Sequence, residues 1–264
     1  TRGLGANLAM RLKYNKDMDD SILSTNTVGS TGDGITMAEK IGAQLVDMGF
    51  IQTYPTCDTQ SGSLLYVGDV RMEGRSILVN KEGHRFVEEL ERRDVISNAV
   101  IEQTGGVSYM FWDESAMKDS GLAVTHEAEY NGLILRKQLV KADTIGEAAD
   151  FFDIDAAELK KTVEKYNQYA KDGKDLEFNK RGELVPFGEG PYYIMVSKPS
   201  VHHTMGGLKI NTDANVMGTN GEVIDGLFAA GEVTGDIHGT NRLGSDAIAD
   251  ITVFGRIAGQ NASK

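Results

Sequence analysis

The sequence predicts an α+β fold, because helical and extended patterns are mixed along the chain and no segment repeats another. Apolar residues make up 40% of the 264 residues, which is enough to form the core of one large domain or of two ordinary domains. No low-complexity segment interrupts these patterns. The chain is therefore expected to fold along its whole length.

The first strong helical pattern follows the turn signal at residues 31–34. Apolar residues then recur at gaps of three to four, at Ile35, Ala38, Ile41 and Leu45. This spacing predicts an amphipathic helix that reaches about Met48. Further along, residues 76–80 have the composition of a strand, and residues 81–83 have that of a turn.

Two helices are predicted between residues 144 and 171. The second opens with Asp155 and has Glu158 three positions later, which is the spacing of a capping box, and residues 171–175 end it. Its buried face is predicted to carry Leu159, Val163, Tyr166 and Ala170. Residues 192–196 and 226–231 are predicted to be strands, the first of them buried and leading to a pair of histidines.

Charge and cysteine content exclude several functions. The formal net charge of −12 repels nucleic acid and anionic membrane surfaces, so neither is expected as a partner. No stretch approaches the roughly 20 consecutive apolar residues of a membrane span, and a soluble chain is expected. Cys57 is the single cysteine, which excludes an internal disulfide and a cysteine-built cluster. The histidines lack metal-ligand spacing, so no metal site is predicted.

Two glycine-rich strings near the carboxyl end carry the strongest functional signal. Residues 201–207 read Val-His-His-Thr-Met-Gly-Gly, and residues 231–244 read Gly-Glu-Val-Thr-Gly-Asp-Ile-His-Gly-Thr-Asn-Arg-Leu-Gly. Glycine lets the backbone turn sharply or lie close to a flat ligand, and His202, Glu232 and Arg242 are polar groups that such a backbone would direct at it. Both strings, in this order, resemble the soluble fumarate reductase flavoprotein family. Members of that family transfer a hydride from reduced FAD to the double bond of an unsaturated acid.

The resemblance implies a domain organisation and a cofactor. Residues 1–53 and 199–264 would belong to an α/β FAD domain, and residues 54–198 would form an inserted α+β capping domain. The family's Gly-x-Gly-x-x-Gly turn, which places a pyrophosphate at a helix N-terminus, does not occur in the sequence. The chain is therefore expected to be a fragment without the amino-terminal nucleotide-binding unit. FAD is the implied cofactor, FMN in a separate domain is an alternative second flavin, and the electron donor is not indicated.

Arg93 is the candidate proton donor, and it ends the charge run of residues 88–93. The family places its acid at the arginine immediately before an aspartate, and Asp94 follows here. Arginine has a pKa above 12, so this role requires a neighbouring base inside a closed site. The resemblance implies that Arg71 relays protons to it. Without the resemblance, the charge run predicts a solvated helix face on which glutamates pair with arginines, namely Glu88, Glu89 and Glu91 with Arg92 and Arg93.

His202 and Arg242 resemble the family's two carboxylate-holding residues. An arginine can grip a carboxylate through two parallel hydrogen bonds, and a histidine donor draws electron density out of the conjugated double bond. Ser245 replaces a glycine that touches substrate in relatives. Contacts with FAD are implied for Asp33, His203, Glu232, Ala247 and Ile248.

Tyr54 and Asp69 stand where fumarate-reducing relatives hold the substrate's second carboxylate. A tyrosine and an aspartate suit a neutral or cationic ring better, because the tyrosine offers an aromatic face and the aspartate can accept from a ring N–H. This substitution and its spacing resemble the urocanate-reducing members of the family, so reduction of urocanate to imidazole propionate is expected.

Several alternatives remain open at this point. Tyr54 can be a packed aromatic and Asp69 a turn cap, in which case neither contacts substrate. The substrate can instead be fumarate, or the chain can belong to a flavin dehydrogenase of another substrate such as a ketosteroid. It can also be an inactive fragment that does not bind FAD.

Overall fold

The computed structural model describes residues 2–264 and divides them into two compact units. The first unit contains the residues up to Thr53 together with Ser200–Lys264, and the second contains Tyr54–Pro199. Each unit contains both helices and strands, which confirms the predicted α+β fold.

Helices and strands follow one another along the described chain without a repeating order. The α-helices are α1 (Leu8–Tyr14), α2 (Asp33–Lys40), α3 (Arg93–Ile101), α4 (Glu114–Ser120), α5 (Leu122–Thr125), α6 (Glu127–Leu135), α7 (Ile145–Phe151), α8 (Ala156–Asp172) and α9 (Asp246–Ala262). The strands are β1 (Leu23–Ser24), β2 (Leu45–Val46), β3 (Ile51–Cys57), β4 (Ile77–Val79), β5 (Ser108–Asp113), β6 (Leu139–Ala142), β7 (Tyr192–Thr204), β8 (Gly207–Leu208), β9 (Asn215–Met217) and β10 (Val223–Phe228). Two 3-10 helices span Val67–Glu73 and Thr104–Gly106.

The first unit contains pairs of short strands, and its backbone segments pack closely at two glycines. β2 is antiparallel to β8, β9 is antiparallel to β10, and the end of β7 runs parallel to β1. A Cβ added to Gly206 would lie 2.3 Å from the carbonyl oxygen of Asp47, and one added to Gly207 would lie 2.2 Å from that of Val233. A side chain at either position would therefore clash with the protein's own backbone, which accounts for both glycines.

In the second unit, an antiparallel sheet carries the core. β5 lies between β4 and β7, and β6 pairs with the other edge of β7. All six residues of β5 are buried, because alternate side chains pack into two core clusters: Met110 and Trp112 in one, Tyr109 and Phe111 in the other. Helix α8 contributes Leu159, Val163 and Tyr166 to a core cluster of the second unit. The sheet contributes Ile77, Phe111 and Ile194 to the same cluster.

Helix α2 is shorter than predicted. It ends at Lys40, because Gly42 adopts a left-handed φ of 91° and the Ala43 N–H bonds back to the carbonyl of Ala38. Leu45, which continued the helical spacing in the sequence, lies in strand β2 instead. Apolar periodicity could not distinguish one long helix from a shorter helix followed by a strand.

The predictions for residues 144–204 hold with three changes. Asp155 caps α8 by accepting from the N–H groups of Ala157 and Glu158, but the complete reciprocal capping box is found at Thr144 and Glu147 of α7. Ala170 is only half-buried. The predicted strand at 192–196 continues to Thr204, so the two histidines lie within β7 itself.

Within the described residues, no helix is both long and apolar enough to cross a membrane.

Candidate active site

The candidate site residues fall into two groups, one in each unit. Tyr54, Asp69, Arg71 and Arg93 belong to the second unit. The first unit contains the remaining candidates, which are Asp33, His202, His203, Glu232, Arg242, Ser245, Ala247 and Ile248.

Tyr54 and Asp69 form a hydrogen-bonded pair. Tyr54 lies in β3, all of whose residues are buried, and Asp69 lies in the first turn of the 3-10 helix Val67–Glu73. The tyrosine hydroxyl donates to Oδ1 of Asp69 over 3.0 Å. Burial, followed by the negative charge of Asp69, raises the pKa of Tyr54 to about 12, so the hydroxyl keeps its proton at neutral pH. Asp69 thus accepts a hydrogen bond from the Tyr54 side chain. Tyr66, the N-cap residue of that helix, makes no side-chain capping hydrogen bond.

Arg93 lies against the face of Tyr54. It is the first residue of α3, and its guanidinium carbon lies 4.7 Å from the centre of the Tyr54 ring, which is cation–π geometry. Burial lowers the pKa of Arg93, and the positive charge of Arg71 lowers it further, whereas Tyr54 and Asp69 act in the opposite direction. Arg93 therefore holds its proton less tightly than an arginine in water does.

Arg71 is a buried cation held by backbone. Arg71 is only 3% exposed, and its Nη1 donates to the carbonyl oxygen of Glu89 over 2.5 Å. Nη2 lies 3.3 Å from the sulfur of Met72. Among residues 2–264, no carboxylate lies within ion-pair distance of Arg71. Its positive charge is therefore available to act on the neighbouring Arg93.

The charge run before Arg93 is not a solvated helix face. Glu89 is completely buried and binds Arg85 through two bonds of 2.8 Å. Glu88 is also buried and pairs with Arg181 at 2.9 Å. Among the arginines predicted to pair on the surface, Arg92 does so, but its partner is Asp94 at 2.7 Å. Glu89 and Glu88 pair with Arg85 and Arg181, and not with Arg92 or Arg93. Helical spacing predicted the wrong partners because these pairs are set by tertiary structure.

In the first unit, His202 is held by Thr25. The threonine Oγ1 lies 2.9 Å from Nδ1 of His202, and the Thr25 N–H bonds to the carbonyl of Val201. In the tautomer that accepts from the threonine hydroxyl at Nδ1, the ring proton lies on Nε2, where it can be donated to a ligand. Sequence reasoning missed Thr25, because nothing in its local pattern distinguishes it from other threonines.

Arg242 is buried and held from two directions. Nη2 donates to Oε1 of Gln52 at 3.3 Å, and Nη1 donates to the carbonyl of Leu243 at 3.0 Å. Gln52 in turn donates through Nε2 to the carbonyl of Arg242 at 2.7 Å and to Oδ1 of Asn241 at 2.8 Å. Sequence reasoning missed Gln52 as well, because a glutamine followed by Thr53 gives no signal that it meets a distant arginine.

His203, in β7, lies close to Glu232. Oε1 of Glu232 accepts from the backbone N–H of Thr204 at 3.0 Å and lies 3.8 Å from Nδ1 of His203. Burial raises the pKa of Glu232, and the bonds from Thr204 oppose that shift. A Cβ on Gly3 would lie 2.5 Å from the Glu232 carboxylate, so the glycine is needed for this approach.

Of the other four candidates, Ala247 is half-buried and three are exposed. Asp33 lies in the first turn of α2, and Ile248 in the first turn of α9 is 63% exposed. Ser245 precedes α9 with a left-handed φ of 71° and gives no side-chain cap, so the first N–H groups of a 17-residue helix receive no capping side chain. Uncapped N–H groups at the positive end of a helix suit an anionic or electron-rich ring edge. Together with an apolar Ile248 and the carboxyl of Glu232, this donor and acceptor set fits a flavin.

Among the described residues, no group of three histidine, cysteine, aspartate or glutamate side chains is placed to hold a metal ion.

Comparison with known proteins places the chain among flavoproteins. The FAD binding domain family matches residues 3–248. The chain is 60% identical to urocanate reductase of Eggerthella lenta over 261 residues, which are 99% of this chain and 43% of that protein. It is 41% identical to a probable fumarate reductase of Shewanella frigidimarina, covering all of this chain and 43% of the relative.

Solved structures give the same result. The open conformation of a flavocytochrome c3 fumarate reductase is similar with a TM-score of 0.80 at 41% identity, covering 100% of this chain and 45% of that chain. A 3-ketosteroid delta1-dehydrogenase from Sterolibacterium denitrificans has a TM-score of 0.75 at 25% identity, covering 100% and 52%. The chain thus spans less than half the length of the curated relatives named here.

Proposed function

Because the chain belongs to the FAD binding domain family, we propose that it forms the active-site part of an FAD-dependent reductase. The proposed reaction reduces the carbon–carbon double bond of an α,β-unsaturated acid, with urocanate as substrate and imidazole propionate as product. In this proposal the first unit is the FAD domain and the second unit is the capping domain. The activity is that of the whole flavoprotein, since the chain spans 43% of the urocanate reductase it resembles.

The hydrogen bond between Tyr54 and Asp69 carries the choice of substrate. A carboxylate accepts hydrogen bonds and cannot donate them, so Asp69 repels a second substrate carboxylate and attracts a ring N–H. The Tyr54 hydroxyl occupies Oδ1 of Asp69 over 3.0 Å and orients the carboxylate. An imidazole ring presents both an N–H and an aromatic face, so it matches this pair better than a dicarboxylic acid does.

The substrate carboxylate is assigned to the first unit. Arg242 is held by Gln52 and by its own backbone neighbours, so its guanidinium is oriented before substrate binds. His202, fixed through Nδ1 by Thr25, supplies a further donor that withdraws electron density from the conjugated double bond. The far carbon of the double bond then becomes the better hydride acceptor. FAD, when bound, supplies that hydride.

Arg93 is assigned the proton. Reduction of the double bond needs a hydride at one carbon and a proton at the other, and Arg93 has a lowered pKa caused first by burial. Its neighbour Arg71 is assigned the resupply of that proton. The buried charge of Arg71 also favours the neutral form of Arg93 after transfer, because two adjacent cations repel each other.

Fumarate is the second candidate substrate, and a specific observation favours it. Arg71 and Arg93 place two cations near Tyr54, and cations attract a second carboxylate. The negative charge of Asp69 opposes this attraction, and its carboxylate can accept from a ring N–H, so a ring with a donor is favoured over a second carboxylate. A ketosteroid substrate is less favoured, because the proposed carboxylate grip of His202 and Arg242 has no counterpart in a ketone.

The proposal is tested by steady-state turnover of the whole flavoprotein with a reduced viologen as electron donor. We expect a higher kcat/KM for urocanate than for fumarate, and Asp69→Asn should lower the urocanate value by about tenfold or more because a charge-assisted hydrogen bond is lost. Glu73→Gln is the matched control, since it removes an exposed carboxylate from the same 3-10 helix. A clear preference of the unmodified protein for fumarate would contradict the proposal.

A further inference from the structure

A buried ion cluster in the second unit has not been given a role in the reaction proposed above. It consists of Arg85, Glu89, Asp175 and Lys180, and is called the Glu89 cluster below. Arg85 bonds Glu89 through Nε and Nη2 and bonds Asp175 through Nη2, with each distance 2.8 Å. Lys180 lies 3.8 Å from Oε2 of Glu89, and all four side chains are at most 1% exposed.

Glu89 is held both at its side-chain carboxylate and at its backbone carbonyl. Its carboxylate accepts the two bonds from Arg85 and lies 3.3 Å from the backbone N–H of Leu78 in β4. Its backbone carbonyl accepts from Nη1 of Arg71 over 2.5 Å. A side chain held by several charged bonds in a closed interior has one conformation, and the carbonyl of the same residue is then fixed in direction.

Arg71 depends on that carbonyl for its position. Its other described polar contact is the weak one with the sulfur of Met72, and no carboxylate among residues 2–264 pairs with it. A buried guanidinium without a carboxylate partner would otherwise turn toward any acceptor or toward solvent. Its place beside Arg93 is therefore a consequence of where Glu89 directs its carbonyl.

We propose that Glu89 is a positioning residue for proton delivery, which holds Arg71 beside Arg93 through its carbonyl while the Glu89 cluster holds its carboxylate. This inference rests on the proposed function, in which Arg93 gives up the proton and Arg71 resupplies it. Glu89 itself touches neither substrate nor flavin in this proposal. It acts only through Arg71.

The first measurement needs neither flavin nor substrate. In the isotope-labelled chain, NMR follows the exchange of the Arg71 guanidinium protons with solvent, and the signal is assigned by its loss in Arg71→Lys. We expect Glu89→Gln to accelerate this exchange by about tenfold or more, because the anchoring carbonyl becomes mobile. Glu88→Gln is the matched control: it removes the neighbouring buried carboxylate, which pairs with Arg181 and does not contact Arg71. It should change the exchange rate by less than about twofold.

The second measurement follows reoxidation of the reduced flavin by substrate in the whole flavoprotein. Glu89→Gln should slow the proton-dependent step by about tenfold and leave substrate affinity within about twofold, since the loss occurs only in the transition state. The solvent deuterium isotope effect should rise, which a merely structural role would not produce. Glu88→Gln should leave both quantities near the unmodified values.

The outcomes separate this inference from the proposed function. Unchanged exchange at Arg71 in Glu89→Gln, or faster exchange with a normal reoxidation rate, overturns the inference. If Arg93→Lys turns over normally, the proposed function of Arg93 is wrong, whereas accelerated exchange in Glu89→Gln would still establish the anchoring of Arg71. Should Glu89→Gln fail to fold, Asp175→Asn removes one partner of Arg85 while keeping both of its bonds to Glu89, and it should accelerate the exchange to a smaller extent.

Discussion

At the scale of single residues, the chemistry depends on how an arginine can be a proton donor. Arg93 combines partial burial, an aromatic face and a neighbouring cation, and burial is the largest of the influences that lower its pKa. None of these alone would make an arginine acidic at neutral pH. A second buried arginine beside it stabilises the neutral form, since transfer of the proton removes a repulsion between two positive charges.

Replacing Arg93 with lysine tests this assignment. In the whole flavoprotein, Arg93→Lys should reduce the rate of substrate-dependent flavin reoxidation by about 10² to 10⁴, the usual loss for a positioned general acid. Substrate affinity should stay nearly intact, because the carboxylate is assigned to His202 and Arg242. Arg92→Lys is the matched control, as this neighbouring arginine is exposed and pairs with Asp94. Near-normal reoxidation in Arg93→Lys, measured by rapid mixing, would remove Arg93 from the mechanism.

The left-handed backbone conformation of Ser245 leads to a prediction about stability. It adopts a left-handed φ of 71°, where a Cβ is disfavoured, and its side chain gives no cap to α9. Ser245→Gly should therefore raise the free energy of unfolding by about 1 kcal/mol, measured by urea denaturation. Ser263→Gly, at the other end of the same helix with φ of −94°, should instead lower it or leave it unchanged. Lower stability in Ser245→Gly would show that the hydroxyl makes a contact more valuable than the relieved strain.

At the scale of secondary structure elements, ion pairs join segments that are far apart in sequence. Arg85 follows the turn after β4, and Asp175 follows the end of α8, yet their side chains bond over 2.8 Å in the interior of the second unit. Asp175 also accepts from the backbone N–H groups of Glu177 and Lys180. This carboxylate thus fixes the loop after α8 against the segment that leads to Arg93.

The pH dependence of unfolding follows from Asp175. Burial would raise its pKa, but the bonds from Arg85 and from the backbone outweigh burial and lower the pKa to about 2. A lowered pKa means that the folded state prefers the ionised form, so its contribution to stability is complete above the unfolded value of 3.8 and is lost as pH falls toward 2. The difference in urea midpoint between the unmodified chain and Asp175→Asn should therefore be largest near neutral pH and should shrink between about pH 4 and pH 2.

The control for this experiment is Asp172→Asn, which removes an exposed carboxylate near the end of α8. It should show no comparable pH-dependent difference. A gap between Asp175→Asn and the unmodified chain that stays constant down to pH 2 would mean that the variant disturbs packing and that the charge of Asp175 is not responsible.

At the scale of the whole molecule, the two units hold different parts of the proposed chemistry. The second unit holds the proton donor and the candidate ring-binding pair, and the first unit holds the candidate carboxylate grip and the residues that fit a flavin. The chain spans 43% of the urocanate reductase it resembles. FAD is the cofactor of the family to which the chain belongs.

Absorption spectroscopy of the purified chain tests how tightly the flavin-contacting candidates of the first unit bind FAD. The sequence contains no Gly-x-Gly-x-x-Gly turn to hold the pyrophosphate at a helix N-terminus, so weak retention of FAD is expected even from a well-folded chain. After incubation with FAD and gel filtration, the chain should carry well under one flavin per molecule, while circular dichroism shows helices and strands. Recovery of one FAD per chain would mean that the contacts around Glu232 and α9 are sufficient.

The sequence by itself determined the fold class, some of the helices and strands, the family and the cofactor. These follow from apolar spacing and from strings of adjacent residues, and both are local properties of the chain. The tertiary structure decided which side chains meet, because contacts between distant positions leave no trace in local spacing. Thr25 beside His202, Gln52 beside Arg242 and the inward turn of Glu89 are the examples. For the same reason, local sequence did not reveal that the backbone of Asp47 and Val233 approaches the glycines at 206 and 207.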